Sequence, residues 1–286
     1  MSTKNVIKQT YGQQLKMGPL KVRQPLPVPH LEQVSPFILL HHAGPTMQEP
    51  KGVKERLSPH PHRGFEPVTF LFSGGLHHKD SAGNEGFLES GDVQWMTAGS
   101  GIIHSEGPSK TFVNEGGTLE LIQLWVNLPR EHKMTTPKYQ DIKREAMPVL
   151  KKAANKVEMR LVAGVYDGIK GPAATFTNIL AAMVYFEAEG ETTFSIPDGW
   201  NTLLYVLDGE VEAAGERVAK HSMAQFSTEG EQIYFKTFSK GHALLLAGEP
   251  INEPLVSYGP FVMNYPGEIK QAILDYETGK MGVLES

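Results

Sequence analysis

The 286-residue chain contains no cysteine. That absence removes disulfide staples, thiolate metal ligands and cysteine nucleophiles together, so any metal must be held by nitrogen and oxygen. Long apolar runs are also missing, and no stretch approaches the ~18 residues of a membrane-spanning helix. The first residues, MSTKNVIKQTYGQQ, are polar and lack the apolar region of a secretory signal, so a soluble, cytoplasmic protein is expected. Dense basic tracts are absent too. Net charge is −5, and the lysine and arginine clusters at 51–56 and 151–156 are short and interrupted, so direct nucleic-acid binding is not expected.

What is abundant is punctuation: 29 glycines and 20 prolines separate short runs of Val, Ile, Leu, Phe and Thr, the texture of an all-β protein. Strands are expected at 68–72, 93–96, 119–126, 202–207 and 243–247, which suits sandwiches or barrels rather than a doubly wound α/β fold. One helix is expected over 266–280, where Ile269, Ala272, Ile273 and Tyr276 recur at i, i+3, i+4 and i+7 between Pro266 and Gly279. A second helical stretch, 128–134, is too short to stand alone.

The length favours two domains. The charged, proline-bearing segment 129–150 reads as a linker, which divides the chain into 1–135 and 136–286. VTFLFSGG at 68–75 and TLLYVLDGEV at 202–211 each run an apolar strand into a glycine turn. Aligning Gly74 with Gly209 gives an offset of 135 residues, which suggests a duplicated β-domain.

The chemistry gathers in two short motifs. In SPHPHRGFE, His60 and His62 stand two residues apart, so on a strand their rings share a face. Pro59 and Pro61 limit ladder hydrogen bonds and favour an edge or rim. In GSGIIHSEGP, His104 and Glu106 repeat the spacing. Three imidazoles and one carboxylate suit a first-row divalent ion with open positions for water, substrate or dioxygen. Glu66 is a rival carboxylate by spacing alone. His41 and His42, like His77 and His78, are adjacent, so each pair offers at most one member to a shared site. Arg63, Phe65, Gln94, Met96 and Gln123 are candidates to line the cavity, beside the plainer reading of Phe65 and Met96 as barrel core.

The segments HPHRGFE, GDVQWMTAGSGIIHSE, LIQLWVNLP and YGPFVMN closely resemble the pirin family, a branch of the cupin superfamily, and the likeness runs from about Phe37 to Gly282. The resemblance implies a bicupin: two antiparallel β-barrels, a metal-binding N-terminal domain and a C-terminal one, with a last helix. It implies a metal, usually iron as Fe(II), on His60, His62, His104 and Glu106, with Glu66 outside the ligand set. The same donors also suit other divalent first-row metals: Mn, Co, Ni, Cu or Zn. The second motif is longer than in cupins generally and carries Thr97 where proline is common, matching the pirin branch. The 135-residue offset sets Ser195 and Pro197 opposite His60 and His62, so the second barrel is expected to be metal-free.

Bacterial members of the family open flavonols such as quercetin with O2, so a quercetin 2,3-dioxygenase-like enzyme is the first expectation, with Glu106 as the proton acceptor. Another enol or catechol is a further substrate class. The alternative is a metal-dependent regulatory protein that binds a protein partner, as a transcriptional coregulator or a modulator of a metabolic enzyme. Fold alone does not choose between them.

Overall fold

The computed structural model describes residues 2–18, 20–52 and 56–284. The chain forms two compact units. In the first, a sheet contains, in order, strands Lys138–Ile142, Val93–Thr97, Phe65–Ser73, Gly117–Asn127 and Phe37–Gln48, all antiparallel. A second sheet runs His60–His62, Ile102–Pro108, Gly75–Asp80 and Glu85–Glu89. The other unit repeats this plan. Ser222–Phe226, Asn201–Asp208, Gly241–Gly248 and Ile179–Phe186 are neighbours in its large sheet, and Glu191–Ser195, Gln232–Thr237, Val211–Ala213 and Glu216–Val218 form its small one. The matching strand order gives the faint internal repeat a structural counterpart.

The interiors differ. The second unit is filled by apolar side chains, including Phe194, Ile233 and Phe235, each at most 1% exposed. These residues lie on the strands that correspond to His60–His62 and Ile102–Pro108. The first unit has an apolar cluster around Leu71, Leu76, Phe112 and Leu121 but keeps buried histidines and acids beside it.

The compact units differ from a single cut after residue 135. The residues up to Gln13 and Arg23–Pro36 join the second unit, and the chain from Ile251 onward joins the first. The cause is strand pairing between distant parts of the chain. Val6–Tyr11 adds to the edge of Ser222–Phe226, and helix Pro266–Glu277 buries Ile269 and Ala272 against Ile103, Phe261 and Met263. That helix ends at Glu277, three residues short of the expected limit. The 128–134 stretch gives only a 3-10 turn, Arg130–His132. Part of the expected linker is built into sheets: Lys138–Ile142 pairs with Val93–Thr97, and Val149–Lys152, which begins at its end, with Val157–Ala163. Both are edge strands with little burial, so their sequences carry no clear alternation. Among the described residues no helix is long and apolar enough to cross a membrane.

The C-terminal segment braces the histidine strand. Arg63 bridges Phe261 in parallel, and Gly64 has φ +86 with its missing Cβ position 1.9 Å from the Val262 carbonyl oxygen, so only glycine fits there. Buried Lys133 donates to the Gly64 carbonyl at 2.7 Å, Asn127 Oδ1 at 2.6 Å and the Val262 carbonyl at 3.2 Å. Lys133→Met removes these three hydrogen bonds. At about 1 kcal/mol each, the variant should lose about 3 kcal/mol, read as a lower urea midpoint with unchanged slope.

Candidate metal centre

Strand Ile102–Pro108 lies between His60–His62 and Gly75–Asp80. Its register sets His104 opposite His60 on one side, and on the other His104 opposite Asp80 and Glu106 opposite His78. Because side chains alternate, these residues project from one face of the small sheet. His60, His62 and His104 form a group whose donor atoms all lie within 4.8 Å of one another. Their ring centroids are 4.9, 4.4 and 4.8 Å apart.

The arrangement suits a cation. His60 Nδ1 lies 2.8 Å from the Ser58 carbonyl, where it can only donate, which leaves Nε2 with a lone pair. That Nε2 is 2.9 Å from His104 Nε2. Nitrogens bound at about 2.1 Å in adjacent octahedral positions would be about 3.0 Å apart, so the spacing fits a shared ion. His62 Nε2 is buried without a hydrogen-bond partner. Its ring is backed edge-on by Phe65 and Trp125 at 5.1 and 5.4 Å. Burial, reinforced by neighbouring imidazoles, holds His62 and His104 well below the usual histidine range, so both are neutral and ready to bind.

Glu106 is placed differently from the expectation of a single four-donor cluster. It groups with His104 and His78 rather than with all three expected histidines. Its carboxylate is turned by Gln94 Nε2, which donates to Oε1 at 2.6 Å, and by Gln123 Nε2, 3.4 Å from Oε2. Burial pushes this carboxyl up, but His78, His60 and Gln94 outweigh it and keep Glu106 below the ordinary range, hence ionised. His104 is common to both groups.

The remaining candidates separate by strand face. Phe65 packs on His62, so adjacent Glu66 faces the other way, where its Oε1 accepts from Thr97 Oγ1 at 2.7 Å and burial raises it to about 7. It belongs to neither donor group. Arg63 turns away from the cavity to donate to Asp275 Oδ2 at 2.9 Å and the Ser100 carbonyl at 2.7 Å. Met96 packs with Ala98 and Ile102 as core. Gln94 and Gln123 are the two polar lining candidates that reach the site, and Phe65 backs the His62 ring.

Of the adjacent pair His77 and His78, which could offer at most one member to the site, the member that enters is His78, 1% exposed beside Glu106. The signal for it is alternation: Leu76, His78 and Asp80 face in, while His77 faces out, stacks on Phe87 at 4.5 Å and bonds Glu85 at 2.7 Å. The same rule divides the other pair, for His42 contacts Glu120 at 3.2 Å while His41 lines an apolar pocket. That pocket, about 710 Å³ counted out to its open mouth, has walls including Leu76, Phe112, Leu119 and Leu121, and carries Glu106 and Gln123.

Burial lowers His41 to about 4. A histidine held neutral in the fold but free to take a proton when unfolded costs stability as pH falls from about 6.5 toward its folded value. The metal-free chain should therefore lose stability between about pH 6.5 and pH 4. His41→Leu should lessen that loss, checked by denaturant midpoints across this range.

Family models match in both halves: Pirin over residues 19–126 and the Pirin C-terminal cupin domain over residues 181–282. Mouse pirin is 38% identical over 270 residues, covering 92% of this chain and 88% of that protein. Pirin-1 of Arabidopsis thaliana is 40% identical, covering 78% of this chain and 77% of that protein. The crystal structure of a quercetin 2,3-dioxygenase from Acinetobacter baumannii superposes with a TM-score of 0.94 at 37% identity, covering 99% of this chain and 100% of that one. A repeated β-unit, one half lined with apolar side chains and the other with paired histidines, together with these matches, makes the chain a member of the pirin family within the cupins.

Proposed function

We propose that the first unit binds a divalent ion, iron(II) in the working protein, through His60, His62, His104 and Glu106, and that the chain opens flavonols such as quercetin with dioxygen. The observation that carries this reading is the gathering of buried, neutral imidazoles on one face of the small sheet, with the ionised Glu106 carboxylate beside His104 and on the wall of an apolar pocket. The likeness to a quercetin 2,3-dioxygenase structure at 37% identity supports the substrate class.

The ion, when bound, lowers the pKa of a coordinated enol hydroxyl and favours its deprotonated form. The rest falls to the chain. Apolar walls from Leu76, Phe112, Leu119 and Leu121 receive flat aromatic rings and exclude water from the reacting carbon atoms. Glu106, exposed to the pocket, takes the enol proton on a carboxylate oxygen. Gln94 and Gln123 steady that carboxylate through Oε1 and Oε2 before and after transfer. The second unit, whose interior is filled by apolar groups, takes no part in this chemistry.

Quercetin added to iron-loaded protein under air should lose its flavonol absorbance with turnover, and His60→Ala should abolish that loss. Gln94→Leu should lower kcat by about 10–100-fold, the usual effect of removing a ligand's hydrogen-bond partner. Elemental analysis of the native protein checks the iron assignment. Absence of turnover with any flavonol, enol or catechol at full loading would favour the regulatory, partner-binding reading.

A further inference from the structure

Strand Ile102–Pro108 is flanked on both sides by imidazoles. Its His104 faces the His60–His62 strand, and its Glu106 faces His78 on the Gly75–Asp80 strand. We propose that His78, His104 and Glu106 form a second seat for a divalent first-row cation, sharing two of its donors with the first. This rests on the reading that the unit binds metal, and it adds a donor which that reading does not use.

Geometry supports it at three levels. The donor atoms of His78, His104 and Glu106 all lie within 4.8 Å of one another, and all three residues are buried. Two histidines and one carboxylate form a facial set that suits iron(II) and leaves positions open. His78 is also held as metal-binding histidines are held, by a carboxylate on its far nitrogen. Its Nε2 lies 3.5 Å from Asp80 Oδ2. Asp80 is itself fixed, since Oδ1 accepts from the amides of Ala82 and Asn84, both at 2.9 Å, and Oδ2 from Asn84 Nδ2 at 2.8 Å. Tyr139 stacks on the ring at 4.8 Å with planes 21° apart, fixing its tilt.

With Nε2 turned toward Asp80, Nδ1 is the ring atom that faces Glu106. It is buried without a hydrogen-bond partner and lies 3.8 Å from Glu106 Oε1. A cation seated between this nitrogen and the carboxylate takes the place of the proton that the ring otherwise shares with the acids on either side. His104 and Glu106 serve both seats, so the chain takes one ion at a time. That ion has a three-histidine, one-carboxylate place on one side of the central strand and a two-histidine, one-carboxylate place on the other.

The test is cobalt(II) binding to the full chain after chelator stripping, read as ions per chain and as the cobalt absorption spectrum. Wild type should bind one ion. H60A/H62A should still bind one ion, more weakly and with an altered spectrum, and H60A/H62A/H78F should bind none. Circular dichroism checks each fold, and H60L/H62L replaces the alanine pair if that variant fails to fold. An ion bound by wild type but lost from both double variants overturns the second seat and leaves the metal reading intact. Retention in the triple variant also overturns it, because the donors then lie elsewhere. No ion on wild type sinks both.

Discussion

The register of one strand carries the whole site. Ile102–Pro108 pairs with His60–His62 on one side and Gly75–Asp80 on the other, and this alone brings four imidazole and carboxylate groups from distant sequence positions onto one face. A slip of one residue would send His104 and Glu106 to the opposite face and bring Ile103, Ser105 and Gly107 into their place. The rest of the first unit defends that register. Gly64 lets the Val262 backbone approach the histidine strand, Lys133 ties Gly64, Asn127 and Val262 together, and Arg63 is drawn off toward Asp275.

Burial then decides the charge state of each donor. The same removal from water that keeps His62 and His104 neutral would neutralise Glu106 as well, were it not for His78, His60 and Gln94 around it. Glu66 shows the contrast: it is equally buried, but with Thr97 as its main polar partner its carboxyl rises to about 7. Two acids on the two sheets of one unit thus take opposite protonation behaviour from their surroundings, and the ionised one is beside the pocket.

The duplicated architecture shows how little of this belongs to the fold as such. Both units use the same strand order in both sheets, yet one interior is packed with Phe194, Ile233, Phe235 and their neighbours, while the other keeps a polar face and an open pocket. A β-barrel supplies inward-facing positions, and the residues placed there make either a core or a site.

Much of the protein was legible in its sequence. Period-two alternation fixed which of His60, His62, His104 and Glu106 share a face, glycine and proline spacing gave the strands, and long motifs gave the family. Local pattern also sufficed for the last helix, whose apolar stripe of Ile269 and Ala272 is buried. Pairing between distant segments was decided only by the tertiary structure. It moved the N-terminal strand into the second unit and the C-terminal segment into the first, turned part of the apparent linker into the strand that carries Tyr139, and set His78 against Glu106. Alternation states which way a side chain points, but which strand lies beside it depends on register across the sheet, and register is settled by packing among residues far apart in the chain.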